Sequence, residues 1–324
     1  MAPRRPFPVD PVITALAIGY RNQAQDLIAD LVMPRIPVLG ERFKWTEYPI
    51  ADRFSVPDTR VGRRGKVERV EFSGVERSGA VEDYGLEDAI PISDIDEAEN
   101  QRNRGLGNID PEAIAAEGLT DLILLDREIR VAAVAQNPAN YAANKRRVLS
   151  GGDQFSDYVN SDPIGVIKAC CQGTLIMRPN TISLSRDTWT VLSSHPHLVN
   201  AIKGNVTGRG IISPEDFVRL FSGEGIKRLL IGESFVNTAR RGQTEVISRV
   251  WGKSIQFHYT NPQVRPEQGG MTWGFTAQYG TRIGGKWPDK DVGLEGGVVV
   301  RIGERVTEQV VAKDVGYLLQ NVVP

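Results

Sequence analysis

The chain has 324 residues, a formal net charge of −1, and 40% hydrophobic and 24% charged residues; this balance supports a buried core and excludes a disordered or collagen-like polymer. Near-neutrality removes the electrostatic case for a dedicated nucleic-acid binder, and the length points to two compact bodies or to one body with long excursions. The two cysteines, Cys170 and Cys171, are neighbours that cannot close a useful disulfide loop, which points to synthesis in a reducing cytoplasm.

The start, MAPRRPFPVDPVITALAIGY, imitates a secretory signal because Arg4 and Arg5 precede an apolar run. Pro6, Pro8, Asp10 and Pro11 interrupt it and no small-residue cleavage site follows, so no signal peptide is expected. No stretch reaches the ~20 apolar residues of a membrane span. Leu16, Tyr20, Ala24, Leu27, Ile28 and Leu31 recur at helical spacing and predict an amphipathic helix over 12–33 that Pro34 stops. PRIPVLGERFKW then reads as an extended arm that lies on something else.

From Phe43 to Tyr84 the pattern becomes β-like, with strands expected in RFKWTEYPI and KVERVEFSG. Between them Arg60, Arg63, Arg64 and Lys66 crowd around Gly62 and Gly65, with Arg69 close behind. Such a tip could grip nucleic acid, cradle phosphate or reach another copy of the chain. An isolated two-stranded ribbon is marginal in water, so support from another subunit is expected. The sign then reverses: Glu82, Asp83, Glu87, Asp88, Asp94, Asp96, Glu97 and Glu99 lie between Arg77 and Arg102 with no Lys or Arg among them. The acidic run is the expected partner of the basic tip on an adjacent subunit, although most charge runs are solvated faces.

Residues 111–136 predict the strongest helix, with Asp110 as N-cap, Pro111 at the first position and Glu112 and Glu117 near the positive end. Ile114, Gly118, Leu122, Leu125, Ile129 and Ala132 or Ala133 form its expected buried face. Beyond a polar linker, helices are expected in GVIKACCQG, RDTWTVLSSHP and PEDFVRLFSG, and strands in TISLS, KRLLIGESF, EVISRVW, SIQFHYT and the long β-patterned tail. Antiparallel strands with segregated helices make the fold class α+β.

Motifs for chemistry fail one by one. GTRIGGKW, 280–287, approaches a phosphate loop, but Trp287 stands where a magnesium-binding hydroxyl belongs, and a turn at Gly284 and Gly285 is the simpler expectation. His195 and His197 flank Pro196, which reads as a helix-ending turn, and His258 lies on a strand; a zinc site would need further ligands. Cys170 and Cys171 read as helix packing. The Asp94–Glu99 run lacks the frame of a calcium loop. No catalytic, metal or cofactor residue is assigned, and no enzymatic activity is expected.

An arm, a ribbon that cannot stand alone, a capped spine helix and a mixed second body describe a part built to contact its own copies. With PNTISLSRDTWTVLSSHPHLVNAIKG, IGESFVNTA and VVVRIGERVTEQVVAKDVGYLLQNVV, the chain resembles the major capsid proteins of tailed bacteriophages, with the Hong Kong 97-type fold shared with encapsulin shells. The resemblance implies an N-terminal arm (1–42), an extended β-hairpin loop (43–85), a peripheral domain with the spine helix (86–154), a mixed α/β axial domain (155–265), and a return through the peripheral sheet ending at the axial domain (266–324). It implies hexamers and pentamers of an icosahedral head around double-stranded DNA contacted without sequence specificity, in a virion whose protein is made in the host cytoplasm. Implied partners are a portal, a scaffolding protein, expected to be separate because the chain begins almost at the arm, and possible decoration proteins. Covalently linked members join a loop lysine to a neighbour's asparagine with a glutamate assisting; Lys66 is placed like the donor, the other two have no match, and crosslinking is not expected. An encapsulin-like compartment and, further off, a nucleotide-binding enzyme using 280–286 are the alternatives.

Overall fold

The computed structural model describes residues 22–324 apart from 24–25, 48–53, 72, 106, 205–208, 241 and 264–269. The helix expected over 12–33 falls largely outside the described residues. Its last part is one helical turn, α1 (Ala29–Val32), with Leu27 and Ile28 before it not helical. Pro34 follows and, having no amide hydrogen, cannot continue the turn. β1 (Arg35–Val38) comes next.

β2 (Arg42–Glu47) and β3 (Val75–Ala80) form an antiparallel ribbon, with Arg42 opposite Ala80 and Glu47 opposite Val75. The outer strand expected in KVERVEFSG does not form: the described residues from 55 to 74 are irregular. The physical reason is in the spacing. Val67 and Val70, three apart, would point to opposite faces of a strand, and at 74% and 52% exposure neither meets a core that would hold one.

The acidic run divides between β4 (Glu82–Pro91) and α2 (Ile92–Asn103). The spine helix α3 spans Pro111–Gln136, about 39 Å at 1.5 Å per residue. The Asp110 carboxylate accepts from the amides of Glu112 (3.1 Å) and Ala113 (3.2 Å), which satisfies two of the donors a helix start leaves open. The buried face, however, is Ala115, Leu119, Ile123, Arg127, Glu128, Val131, Ala132 and Ala135. Of the expected face only Ala132 is buried, while Ile114 is 59% and Leu122 54% exposed. Neighbouring positions are both apolar around most of the helix, so spacing alone does not choose between two faces one residue apart; Ile90 and Val300, packed on Ala115 and Leu119, make the choice.

The chain continues through β5 (Arg146–Val148), α4 (Pro163–Gly173), β6 (Thr181–Ser185), α5 (Arg186–Ser193), α6 (Pro196–Lys203), α7 (Pro214–Leu220), β7 (Arg228–Gly232), β8 (Phe235–Asn237), β9 (Ile247–Arg249) and β10 (Ile255–His258). The chain closes with β11 (Gly274–Tyr279), β12 (Ile283–Asp289), β13 (Gly297–Val310) and β14 (Gly316–Gln320). One five-stranded sheet runs β1-β11-β13-β12, with β4 also on β13; the other runs β5-β14-β10-β6-β7. β8 and β9 pair with each other.

Two sequence expectations are corrected here. Pro196 does not end a helix but opens α6 at its first position, with His195 as N-cap, a place where the missing amide hydrogen costs nothing. Gly284 and Gly285 lie inside β12, paired with Ile302 and Arg301 of β13; the turn before it uses Gly280, at φ +70°. A strand cannot present the amide nest of a phosphate loop, and the Lys286 ammonium instead pairs with Glu112 at the start of α3.

Candidate inter-subunit interface

The ribbon is fastened at its root. Phe43 is buried against Phe275 of β11, ring centroids 6.3 Å apart, and stacks on Trp45 at 5.7 Å. Opposite it, Gly79 leaves the room: a Cβ there would stand 2.6 Å from the Phe43 ring. Cross-strand pairs Lys44–Glu76 (2.6 Å) and Arg77–Glu47 (2.9 Å) follow along the exposed part; each such surface pair is worth about 0–1 kcal/mol.

Among the described residues the anchoring stops after Glu47. Every residue from 54 to 71 is exposed, including Phe54 at 61%, Val67 at 74% and Val70 at 52%. The tip closes on one bond, the Gly65 amide donating to the Gly62 carbonyl at 2.8 Å, with Arg63 and Arg64 between. Arg60, Arg63, Arg64, Lys66 and Arg69 project from it, and none forms an ion pair among the described residues. Because this segment buries nothing, replacing residues 55–72 by a short Gly-Ser turn is expected to leave a folded, soluble subunit that cannot close a shell. Far-UV circular dichroism and sedimentation check this; an unfolded product would assign the segment to the core.

All eight acidic residues are exposed, but they do not form one surface. Strand alternation turns Asp83 and Glu87 toward the arginines of β13: Asp83 meets Arg305 at 3.3 Å and Glu87 meets Arg301 at 2.6 Å. The Glu82 carboxylate accepts from the Tyr84 hydroxyl at 2.8 Å. Asp88 lies one step from Glu87, on the side of β4 that carries Ile90 toward α3. Asp94, Asp96, Glu97 and Glu99 are on α2; Asp94 accepts from Ser93 (3.3 Å) and Glu97 from Gln101 (3.4 Å). Within one chain, none of the eight pairs with the five basic residues of the tip among the described residues.

Comparison with known proteins shows the family. The chain is 41% identical over 318 residues to the major capsid protein of Pseudomonas phage JBD67, covering 98% of each. It belongs to the bacteriophage major capsid proteins. No protein-family model matches it. A phage-related protein from Bordetella bronchiseptica has a similar fold, at TM-score 0.70 and 23% identity over 97% of this chain and 98% of that one. The mature capsid of bacteriophage PhiM1 shares the fold at TM-score 0.55 and 11% identity, over 94% of this chain and 89% of that one. The fold is therefore the α+β Hong Kong 97-type capsid fold, and the chain is a structural subunit that builds a phage capsid and is part of the virion. Among the described residues no helix is long and apolar enough to cross a membrane.

In this capsid subunit residues 28–33 are tied down by a polar cluster that apolar spacing does not reveal. Glu128 of α3, 0% exposed, accepts from the Ile28 amide (3.0 Å), the Ala29 amide (2.7 Å) and the Trp251 indole (2.6 Å). Burial pushes its carboxyl up from the usual range, and these three donors pull it back. Next to it Arg127, 1% exposed, pairs with Asp30 and donates to the Met33 carbonyl (3.1 Å) and the Thr276 hydroxyl (3.0 Å). One visible signal was adjacent opposite charges, Arg127 and Glu128, inside an apolar helix.

The histidines of the capsid subunit serve packing. His195 Nδ1 accepts from the His197 amide (3.2 Å), so Nε2 holds the proton and donates to Ser161 (2.9 Å). Tyr141 donates to the Ala135 carbonyl (2.6 Å), so His258 Nε2 donates to the Tyr141 oxygen (2.8 Å), with the ring stacked on Trp273 at 4.1 Å. Burial lowers the pKa of His195 to about 4, with His197 adding to the effect, and that of His258 to about 3. The unfolded chain, near 6.5, takes up these protons first. The stability contributed by the neutral rings is therefore full above pH 6.5 and is lost as pH falls toward 4 and then 3. Urea unfolding of dissociated subunits is expected to show a midpoint falling between pH 7 and pH 5, with a smaller fall in His258→Phe; equal falls would remove His258 from the account. Cys170 and Cys171 are buried in α4, their thiols pushed up to about 12 by burial.

Proposed function

We propose that the subunit assembles as hexamers and pentamers of an icosahedral phage head around double-stranded DNA, which it contacts without sequence specificity, after synthesis in the host cytoplasm. The single observation that carries this is the loop from 54 to 71, exposed throughout and cationic at its tip, on a ribbon fastened only at its root. Rings require heterologous contacts, in which one surface meets a different one, and the basic tip and acidic segments supply two different surfaces. The arm (1–42), loop (43–85), peripheral domain (86–154), axial domain (155–265) and return (266–324) are the divisions we assign. A separate scaffolding protein, a portal and decoration proteins are the partners this architecture would take.

In this reading Arg60, Arg63, Arg64, Lys66 and Arg69 of one subunit face acidic groups of the next, drawn from Glu82, Asp83, Glu87, Asp88, Asp94, Asp96, Glu97 and Glu99. The subunit has no enzymatic role, and the strand pairing of Gly284 and Gly285 speaks against the nucleotide reading of 280–286. Sedimentation of the purified protein tests the proposal: rings or closed shells are expected, and a monomer at high concentration under all salt and pH conditions would sink it. Cargo separates a phage head from an enzyme-filled compartment, since heads recovered from lysates are expected to hold nuclease-protected DNA.

A further inference from the structure

A groove of about 1500 Å³ lies between β4, α3 and the β8–β9 hairpin. Its lining is apolar at Leu86, Ile114, Leu122, Phe235 and Ile247, each 43% exposed or more. It is acidic at Glu87, Asp88, Asp94, Asp121 and Glu245, and among the described residues no Lys or Arg lines it. Two lining residues, Asn22 and Leu27, belong to the start of the chain. Asn22 is clasped to the rim, its side-chain amide donating to the Phe235 carbonyl (3.0 Å) while its side-chain oxygen accepts from the Phe235 amide (2.9 Å). The chain thus enters the described structure at the edge of the groove, and residues 1–21 precede that point.

We infer that residues 1–21 seat in this groove of their own subunit before assembly. Reach permits it: a segment of that length spans about 70 Å when extended, whereas the α3 floor from Ile114 to Leu125 is about 17 Å long. Charge matches. Arg4, Arg5 and Arg21 outnumber Asp10, the one acidic residue of the segment, and the charged groups of the lining are all carboxylates. Apolar content matches as well, since Val12, Ile13, Leu16 and Ile18 would cover Ile114 and Leu122, 59% and 54% exposed, and contiguous exposed apolar surface marks an interaction site. Tethering favours the subunit's own segment over that of another copy, because a segment joined to the rim at Asn22 meets the groove at an effective concentration on the order of millimolar. The consequence rests on the shell reading. Asp88 and Asp94, among the carboxylates offered there to a neighbour's basic tip, are screened in the free subunit, so residues 1–21 act as a guard that contact between subunits displaces.

The test uses dissociated full-length subunits with a photoreactive residue at Leu122, and separately at Ile247, in a dilute mixture of isotope-labelled and unlabelled chains. Same-isotope cross-links to peptides within 1–21 are the expected product. Mixed-isotope cross-links to that segment, cross-links to other peptides alone, or none, would overturn the inference. Asp88→Lys with Asp94→Lys is expected to lower the cross-link yield about fivefold. Removal of residues 2–21 is expected to raise binding of a hydrophobic dye about twofold as the groove opens, with far-UV circular dichroism unchanged in both variants. Unchanged yield or unchanged dye binding contradicts the inference. None of these measurements needs a shell, so failure of the unmodified chain to assemble would overturn the shell reading and the guarding role, whereas failure of the cross-links would overturn the seating and leave the shell reading intact.

Discussion

Reversing Arg63 and Arg64 to glutamate is expected to abolish shell formation and to leave the melting temperature of the isolated subunit nearly unchanged. Both halves of the result follow from position. The two arginines occupy the turn closed by Gly65 and Gly62 and are exposed, so the folded subunit loses nothing by their reversal. A single exposed pair contributes about 0–1 kcal/mol, but the contact recurs around every ring, and like charges brought together at each copy cost energy repeatedly. Light scattering measures assembly and differential scanning calorimetry measures the subunit. If the loop served DNA instead, the reversal would weaken nucleic-acid retention, shells would form, and no acidic-side substitution would compensate. Normal assembly of the double variant would reduce the basic tip to a solvated face.

Glu128→Ala should have the largest effect on the subunit itself. The substitution leaves two backbone amides and the Trp251 indole without their acceptor in a site where Glu128 is 0% exposed. Each orphaned buried donor costs about 1–3 kcal/mol, and breaking a buried charged cluster by removing one member costs about 3–5 kcal/mol. The neighbouring Arg127 would keep Asp30, Met33 and Thr276, so the arm should loosen at Ile28 and Ala29 before the second body is affected. Urea unfolding of dissociated subunits should show a loss of about 3–5 kcal/mol, with faster proteolysis near α1. A loss under 1 kcal/mol would mean that the cluster does not hold the arm.

What was legible in the residues and what was not divides along physical lines. The start of the spine helix was written in Asp110 and Pro111, because a cap and a first-position proline act locally. Its buried face was not, since Ile114 and Ala115 are both apolar and only Ile90 and Val300, remote in sequence, distinguish them. Pro196 carries the same ambiguity in another form: proline is compatible with a helix start and with a helix stop, and the Nδ1 atom of His195, accepting from His197, decides for a start. The basic tip was visible from the local run of Arg60, Arg63, Arg64 and Lys66 around Gly62 and Gly65. The division of the acidic run was not, because it depends on which strand lies beside β4 and places Arg301 and Arg305 opposite Glu87 and Asp83. The role of Arg127 and Glu128 was not legible, because partners of Glu128 lie about a hundred residues and more away.

Electron cryo-microscopy of the assembled protein tests the central claim most directly, because it images the loop and its surroundings in every subunit at once. The account predicts a closed shell in which the 54–71 loop of each subunit lies on its neighbour, with Arg63 and Arg64 within ion-pairing reach of acidic residues of β4 or α2. A shell in which the tip points into solvent or lies against packaged DNA would contradict it.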